Sequence, residues 1–327
     1  MEDRTTMLED PVLVNDWHVV ARSEAVQKDR TCAARLLRED LVLWRCGDEV
    51  KAWQDLCVHR GTRLSLGWIR DETLTCSYHG WTYDDEGKCV RIPAHPDQKP
   101  PQTARVKTYR TKERYGFVWA CLGEPRTEIP EIPQLDNPSY TKIFCGPYRY
   151  KASGPRAIEN FLDVAHFPFV HEGLLGDPRH PEIADYEPMI EPNGVTAKSI
   201  SVWQPDPDGI GRPAVVTYTY RVLRPLTAYL AKEAAENQYT LLMIVTPVDE
   251  VESIAWMLIA TNYAHDQVEQ LRSFQNKIVS QDIPVVESQR PELLPLDLQA
   301  ELHLRSDRMS IAYRKWLREI GLAFGTK

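Results

Sequence analysis

Apolar and polar positions alternate in short runs through the first half of the chain. Apolar and β-branched stretches recur at residues 17–21, 41–45, 50–55, 74–77 and 115–122, separated by turn signals such as Gly47-Asp48 and Asp85-Glu86-Gly87. Such runs predict a small antiparallel β domain. The second half mixes periods. Ile158, Phe161, Leu162 and Ala165 fall at three-and-four spacing, which predicts a helix over 158–165. Strand-like runs follow at 196–203, 215–222, 239–245 and 253–261, and a long helical pattern starts near Asp266. Another helix is expected over 306–320. There Met309, Ala312, Tyr313, Trp316 and Ile320 share a face, and Ser306-Asp307 can cap the start. The pattern suits a sheet wrapped around a long helix. Two Pro-rich stretches, 92–102 and 125–138, interrupt the periodicity. The first is expected to be an irregular loop. The second leads to an expected boundary near residue 146, which gives domains 1–146 and 147–327.

Chemistry concentrates in two segments, C-V-H at Cys57 to His59 and C-S-Y-H at Cys76 to His79. Each supplies one thiolate and one imidazole. Structural zinc sites usually pair Cys with Cys and His with His, whereas here the order alternates. Two Cys and two His are the ligand set of a Rieske [2Fe–2S] cluster, with the thiolates on one iron and the imidazoles on the other. Gly61 and Gly80 follow the two pairs, where glycine lets backbone approach a cofactor closely.

A one-electron store needs an acceptor. The segment E-N-F-L-D-V-A-H-F-P-F-V-H runs from Glu159 to His171. Asp163 and His166, three apart, are expected on one helical face. Pro168 is expected to disrupt the helix and let His171 swing back toward His166. Two imidazoles and a carboxylate make the facial triad that leaves positions open on Fe(II). The carboxylate must come from elsewhere in the chain. Asp282 is the first choice, because Phe274, Ile278 and Val285 or Val286 make its surroundings apolar and a buried acid is costly unless paired or metal-bound. Glu287, Asp266 and Asp249 are rivals.

Composition excludes several alternatives. The 47 acidic and 39 basic residues give a net charge of −8 with no basic block, so a nucleic-acid partner is not expected. The longest apolar runs, 241–245 and 254–260, are too short to span a bilayer, and the first residues show no apolar leader core. Of seven cysteines, Cys32, Cys46, Cys89, Cys121 and Cys145 remain after the two cluster candidates. They read as reduced thiols of a cytoplasmic protein.

Together the two metal motifs resemble the catalytic α subunits of the Rieske non-heme iron oxygenases, over nearly the whole chain. Further segments carry the likeness: N-D-W-H-V-V at 15–20, L-V-L-W-R at 41–45, H-G-W-T-Y-D-D-E-G-K-C-V-R-I-P-A-H-P at 79–96, R-Y-G-F-V-W at 114–119 and S-D-R-M-S-I-A-Y-R-K-W-L at 306–317. Within that family the chain looks most like the homotrimeric monooxygenase and demethylase branch, which includes vanillate, dicamba and caffeine demethylases, phenoxybenzoate-type enzymes and saxitoxin-pathway hydroxylases. The resemblance implies an α+β chain, with an all-β Rieske domain followed by a helix-grip (START/Bet v1-like) catalytic domain. It implies a cluster on Cys57, His59, Cys76 and His79, and Fe(II) on His166, His171 and Asp282. Asp163 matches the carboxylate that links a cluster His of one subunit to an iron-ligand His of the next, within a head-to-tail homotrimer. Asn160 matches a residue near the iron. The implied activity is O₂-dependent monooxygenation of a C–H bond in a small, possibly aromatic or heterocyclic, molecule, seen as hydroxylation or as O- or N-demethylation. NAD(P)H electrons arrive through a separate ferredoxin- or flavin-type reductase, since the chain has no G-x-G-x-x-G fingerprint. Arene cis-dihydroxylation and simple electron transfer with a degenerate iron site are the alternatives. Two departures from the family pattern stand out. Val58 replaces the usual proline, and Pro284 follows two residues after the proposed third ligand. Trp203, Tyr218, Tyr220, Met243, Met257 and Asn262 are expected to line the pocket. Arg60, Arg63, Arg70, Lys88 and Arg91, near the cluster loops, read as ordinary solvated charge rather than a reductase footprint.

Overall fold

A computed structural model describes residues 10–207, 212–234 and 237–327. The first nine residues, read above for a leader, lie outside the described residues. The chain forms two compact units that meet between Ile129 and Pro130. The boundary expected near 146 instead falls inside the Thr141–Tyr150 strand, which pairs with Glu252–Thr261 in the second unit. A long-range strand pairing leaves no local compositional mark, whereas the Pro-rich stretch before it does.

The first unit is antiparallel β, as the alternating runs predict. One six-stranded sheet has the order His18–Arg22, Phe117–Cys121, Thr108–Arg114, Glu49–Gln54, Glu39–Cys46, Cys32–Leu36. A four-stranded sheet has the order Trp68–Arg70, Thr73–Thr75, Thr82–Tyr83, Cys89–Arg91. Trp44, Trp53, Leu64, Leu74, Tyr83 and Val106 pack together between them, and this core includes Cys57 and Cys76. Trp44 and Trp53 meet edge to face at 4.9 Å, a geometry aromatic pairs favour. The cluster candidates thus stand on a rigid apolar base.

The second unit is a seven-stranded antiparallel sheet. Its order is Thr141–Tyr150, Glu252–Thr261, Asn237–Asp249, Thr227–Ala234, Ala214–Arg224, Gly194–Gln204, Pro188–Glu191. Helix Val268–Ser288 packs against the Thr141–Tyr150 strand, and helix Arg308–Glu319 against the opposite end of the sheet. Helix Gly154–Leu162 contacts both of these helices and the Asn237–Asp249 strand. Ser153 caps its start by accepting from the Arg156 amide, as a residue at that position should. A buried ionic network fixes its place. Arg314 forks onto Glu159 (Nε to Oε1 2.5 Å, Nη2 to Oε2 2.7 Å), and Glu301 accepts from both Arg314 and Arg156. Pro284 lies inside Val268–Ser288 without ending it. A proline withholds one amide hydrogen bond, and here that loss falls in the helix's last turns.

Candidate metal centres

In the first unit, two loops with matching backbones present the four cluster candidates. The Cys57 amide donates to the Thr62 carbonyl (2.8 Å) and the Cys57 carbonyl accepts from Gly61 (2.9 Å). Equivalent bonds tie Cys76 to Trp81 (2.9 Å) and to Gly80 (3.1 Å). Each loop closes only because its glycine adopts a left-handed φ, +72° at Gly61 and +69° at Gly80, which side chains disfavour. Cys57 and Cys76 are buried, while His59 is half-buried and His79 exposed. The imidazoles stand 4.6 Å apart. His59 stacks flat on Trp81 (4.5 Å, 4°) and Tyr78 lies against His79 (3.8 Å). His59 Nδ1 is buried with no hydrogen-bonding partner. Burial pushes the Cys76 thiol above its usual pKa, and the neighbouring Cys57 pushes it further. Two adjacent buried sulfurs and an orphaned ring nitrogen fit a cationic cluster, which supplies the charge that thiolates there require. Tyr83 places its hydroxyl 3.1 Å from Cys57 Sγ. Val58, at the usual proline position, is an exposed residue on the loop surface.

In the second unit, His166, His171 and Asp282 converge, each with a donor atom within 4.8 Å of the others. Their backbone setting differs from the sequence expectation. Helix Gly154–Leu162 ends before Asp163, which takes an extended conformation. His166 precedes a separate short helix, Phe167–Val170, and Pro168 sits in its first turn rather than breaking a longer one. Proline is preorganised for that position. The i, i+3 contact survives without the helix: His166 Nδ1 donates to Asp163 Oδ2 at 2.9 Å, and Asp163 Oδ1 accepts from the Ala165 amide at 2.8 Å. His171 Nδ1 donates to Gln281 Oε1 at 2.9 Å.

Those two acceptors fix both tautomers. The Nε2 lone pairs therefore face one another across 3.2 Å. Asp282 Oδ1 lies 3.4 and 3.1 Å from them, buried and without a hydrogen-bonding partner. Three converging acceptors repel unless a cation or a proton joins them. For the proton, burial lowers the basicity of His166, but Asp163 and Asp282 outweigh burial and lift its pKa to about 9. The donor set suits a divalent first-row metal such as Fe(II). The rival acids lie elsewhere. Glu287 accepts from the Lys151 amide, Asp249 from the Glu250 amide, and Asp266 is exposed.

The triad opens into a cavity whose empty space, open solvent at its mouth included, is about 970 Å³. Tyr150, Phe161, Phe167, Tyr218, Tyr220 and Tyr239 give it an aromatic wall, and Asn160 also lines it. Of the expected lining, Tyr218, Tyr220, Met243 and Met257 are present. Trp203 instead stacks on His180 at 4.4 Å, and its neighbour Gln204 faces the cavity. Successive strand residues face opposite ways, so an error of one residue exchanges the two. Asn262 accepts from the Gln238 amide and is not part of the wall. Sequence reading also missed Gln281, since an amide beside an acid carries no signal of its own.

Comparison with known proteins gives a consistent result. The Rieske [2Fe-2S] domain family matches residues 16–110, and the vanillate O-demethylase oxygenase C-terminal domain family matches residues 150–323. Methylxanthine N1-demethylase NdmA of Pseudomonas putida is 33% identical over 317 residues, covering 93% of this chain and 88% of that protein. Methylxanthine N3-demethylase NdmB of the same organism is 29% identical, covering 98% and 94%. The solved structure of Pseudomonas putida CBB5 NdmA with caffeine superposes with a TM-score of 0.84 at 31% identity, covering 94% of this chain and 91% of that one.

Proposed function

The chain belongs to the Rieske non-heme iron oxygenases as a catalytic subunit, and on that premise we propose that it N-demethylates a small heteroaromatic substrate. It is an O₂-dependent oxidoreductase, and we infer that NAD(P)H electrons reach it through a separate reductase. As a member of that family it takes a Rieske [2Fe–2S] cluster and a non-heme iron. Bound, they supply single electrons and an O₂-activating centre. We assign the cluster to Cys57, His59, Cys76 and His79, and the mononuclear iron to His166, His171 and Asp282. The observation that carries the reading is the opening of this triad into an aromatic-walled cavity.

The chain's residues have definable tasks. Asp163 and Gln281 hold the two imidazoles with Nε2 toward the metal. The aromatic wall stacks a flat ring and excludes water. Hydroxylating a methyl carbon bonded to nitrogen gives a hemiaminal, which collapses to the secondary amine and formaldehyde. A methyl carbon on an ether oxygen collapses the same way, so N- and O-demethylation are one chemistry on two substrates.

We further infer a head-to-tail homotrimer in which Asp163 bridges His166 to a cluster imidazole of the partner subunit. The Asp163 carboxylate is 28% exposed, which leaves it accessible to such a contact. We infer a cytoplasmic setting from the five cysteines outside the cluster loops, Cys32, Cys46, Cys89, Cys121 and Cys145, which are unpaired thiols. Among the described residues no helix is long and apolar enough to cross a membrane.

The test is metal analysis followed by turnover of caffeine, with a reductase, in labelled O₂. Three irons per chain and stoichiometric formaldehyde are expected. Two labelled oxygens in one ring product would establish dihydroxylation instead. Two irons per chain without substrate turnover would establish an electron carrier.

A further inference from the structure

His59 and His79 differ from the imidazoles of the second unit in what orients them. His166 and His171 each donate their outer ring nitrogen to a side chain, Asp163 or Gln281, as metal-ligating imidazoles usually do. Among the described residues, the rings of His59 and His79 make no hydrogen bond. The torsion that turns an imidazole about its Cβ–Cγ bond is broad, so another contact must set the ring plane. For His59 that contact is Trp81. The two rings are parallel within 4°, with centroids 4.5 Å apart. His79 meets the same imidazole edge-on, at 4.6 Å and 66°. Tyr78, 64% exposed, lies against His79.

Trp81 is itself firmly held. Its carbonyl accepts from the Cys76 amide at 2.9 Å, and its side chain packs on the apolar core that contains Cys57, Cys76 and Tyr83. Its backbone therefore belongs to the second loop, while its ring covers a histidine of the first. That contact has an electrostatic sign. The face of an indole carries the negative part of its quadrupole. The buried, unpartnered Nδ1 of His59 is the atom left for a metal, so the ring shares in the charge of the iron it would bind. Reduction adds one negative charge, which the indole face opposes. The indole also keeps water off one side of the imidazole, and solvent exposure is one of the determinants of a cluster's potential. Both effects disfavour reduction. Arg60, a cation whose charge reaches His59, acts the other way and stays in every variant below.

Resting on the assignment of the cluster to Cys57, His59, Cys76 and His79, we propose that Trp81 is a positioning residue of the electron-transfer centre. Its indole clasps the histidine of the opposite loop, fixes the plane of that ligand and holds the cluster's reduction potential down.

The experiment is a spectroelectrochemical titration of the loaded full chain as wild type, Trp81→Leu and Trp81→Phe, with iron content measured alongside. Leucine keeps an apolar side chain and removes the ring face. At a fixed applied potential, the ratio of reduced to oxidised cluster is expected to rise about 2- to 5-fold in Trp81→Leu. At about 59 mV per tenfold, that is a potential roughly 20–40 mV higher. Trp81→Phe keeps a stacking face and is expected to recover most of the shift. A loaded Trp81→Leu whose potential is lower, or within about 10 mV of wild type, would overturn the assignment. So would a phenylalanine variant that matches leucine rather than wild type. If Trp81→Leu takes up no cluster, full loading of Trp81→Phe supports the clasp, and failure of both variants to load assigns Trp81 to the fold and overturns it. Wild-type protein that takes up no cluster would defeat the ligand assignment itself, an outcome distinct from all of these.

Discussion

Replacing Tyr83 with Phe isolates one determinant of the cluster's reduction potential. Tyr83 is fully buried, and its hydroxyl lies 3.1 Å from Cys57 Sγ. Burial, followed by the hydrogen bond to Cys57, raises its pKa far above the tyrosine range, so it is protonated whatever the buffer. An iron-bound Cys57 has no proton to give, which makes Tyr83 the donor. The reduced cluster carries one more negative charge than the oxidised cluster, so the hydrogen bond favours reduction. A net hydrogen bond is worth about 0.5–1.5 kcal/mol. For one electron, about 59 mV corresponds to a tenfold change in equilibrium, so losing the bond should lower the potential by roughly 20–60 mV. The phenylalanine ring fills the same space and strands no partner, so cluster loading should be unchanged. The assay is a spectroelectrochemical titration of the loaded protein followed in the visible. A potential within about 10 mV of wild type, or a higher one, would refute the assignment of Tyr83 as a donor to the cluster sulfur.

Other outcomes follow from the same geometry. Asp282→Ala should reduce the iron content from three to two per chain while leaving the cluster absorption intact, and turnover should fall at least ~100-fold; metal analysis and O₂ uptake check both. Asp163→Ala should retain both metals yet lose turnover, and normal steady-state rates in that variant would argue against the bridge. Arg314→Met leaves Glu159 buried without its main partner, so a thermal melt should show destabilisation of about 3–5 kcal/mol. Glu113 is held below the usual carboxylate value near 4.5, first by its hydrogen bond to Arg45. A depressed folded pKa stabilises above the unfolded value and loses that contribution as pH falls through the folded one. Acid unfolding of Glu113→Gln should therefore show a shallower pH dependence below about 4.5, by under ~1 kcal/mol because the pair is partly exposed.

Legibility of the sequence followed locality. The paired loops could be read because the four proposed ligands and two glycines sit within 24 positions, Cys57 to Gly80. The meeting of Asp282 with His166 and His171 could be anticipated because an acid on an apolar helical stretch needs a reason to be there, and Pro284 lies inside the helix without ending it. What required the fold was everything set by long-range pairing. Strand Thr141–Tyr150 is recognisable only from its partner Glu252–Thr261. The exchange of Trp203 for Gln204 at the cavity wall depends on strand register, which no local pattern marks here. The kinked path from Asp163 to His171 defeated a helical reading, because two short segments and an extended residue produce the same contacts as one helix would.

The three residues proposed to hold the iron are set in place by the protein itself. Asp163 and Gln281 orient the imidazoles, and the Arg156–Glu159–Glu301–Arg314 network anchors the helix that leads into them. Those outer partners hold each imidazole in the tautomer and orientation a metal needs, whichever ion joins the three groups. The donor set discriminates weakly: two imidazoles and one carboxylate bind zinc or copper more tightly than ferrous iron. The occupant is then decided by supply during biosynthesis, and material from iron-poor medium would carry inert zinc in an intact shell, restorable by chelation and anaerobic reloading.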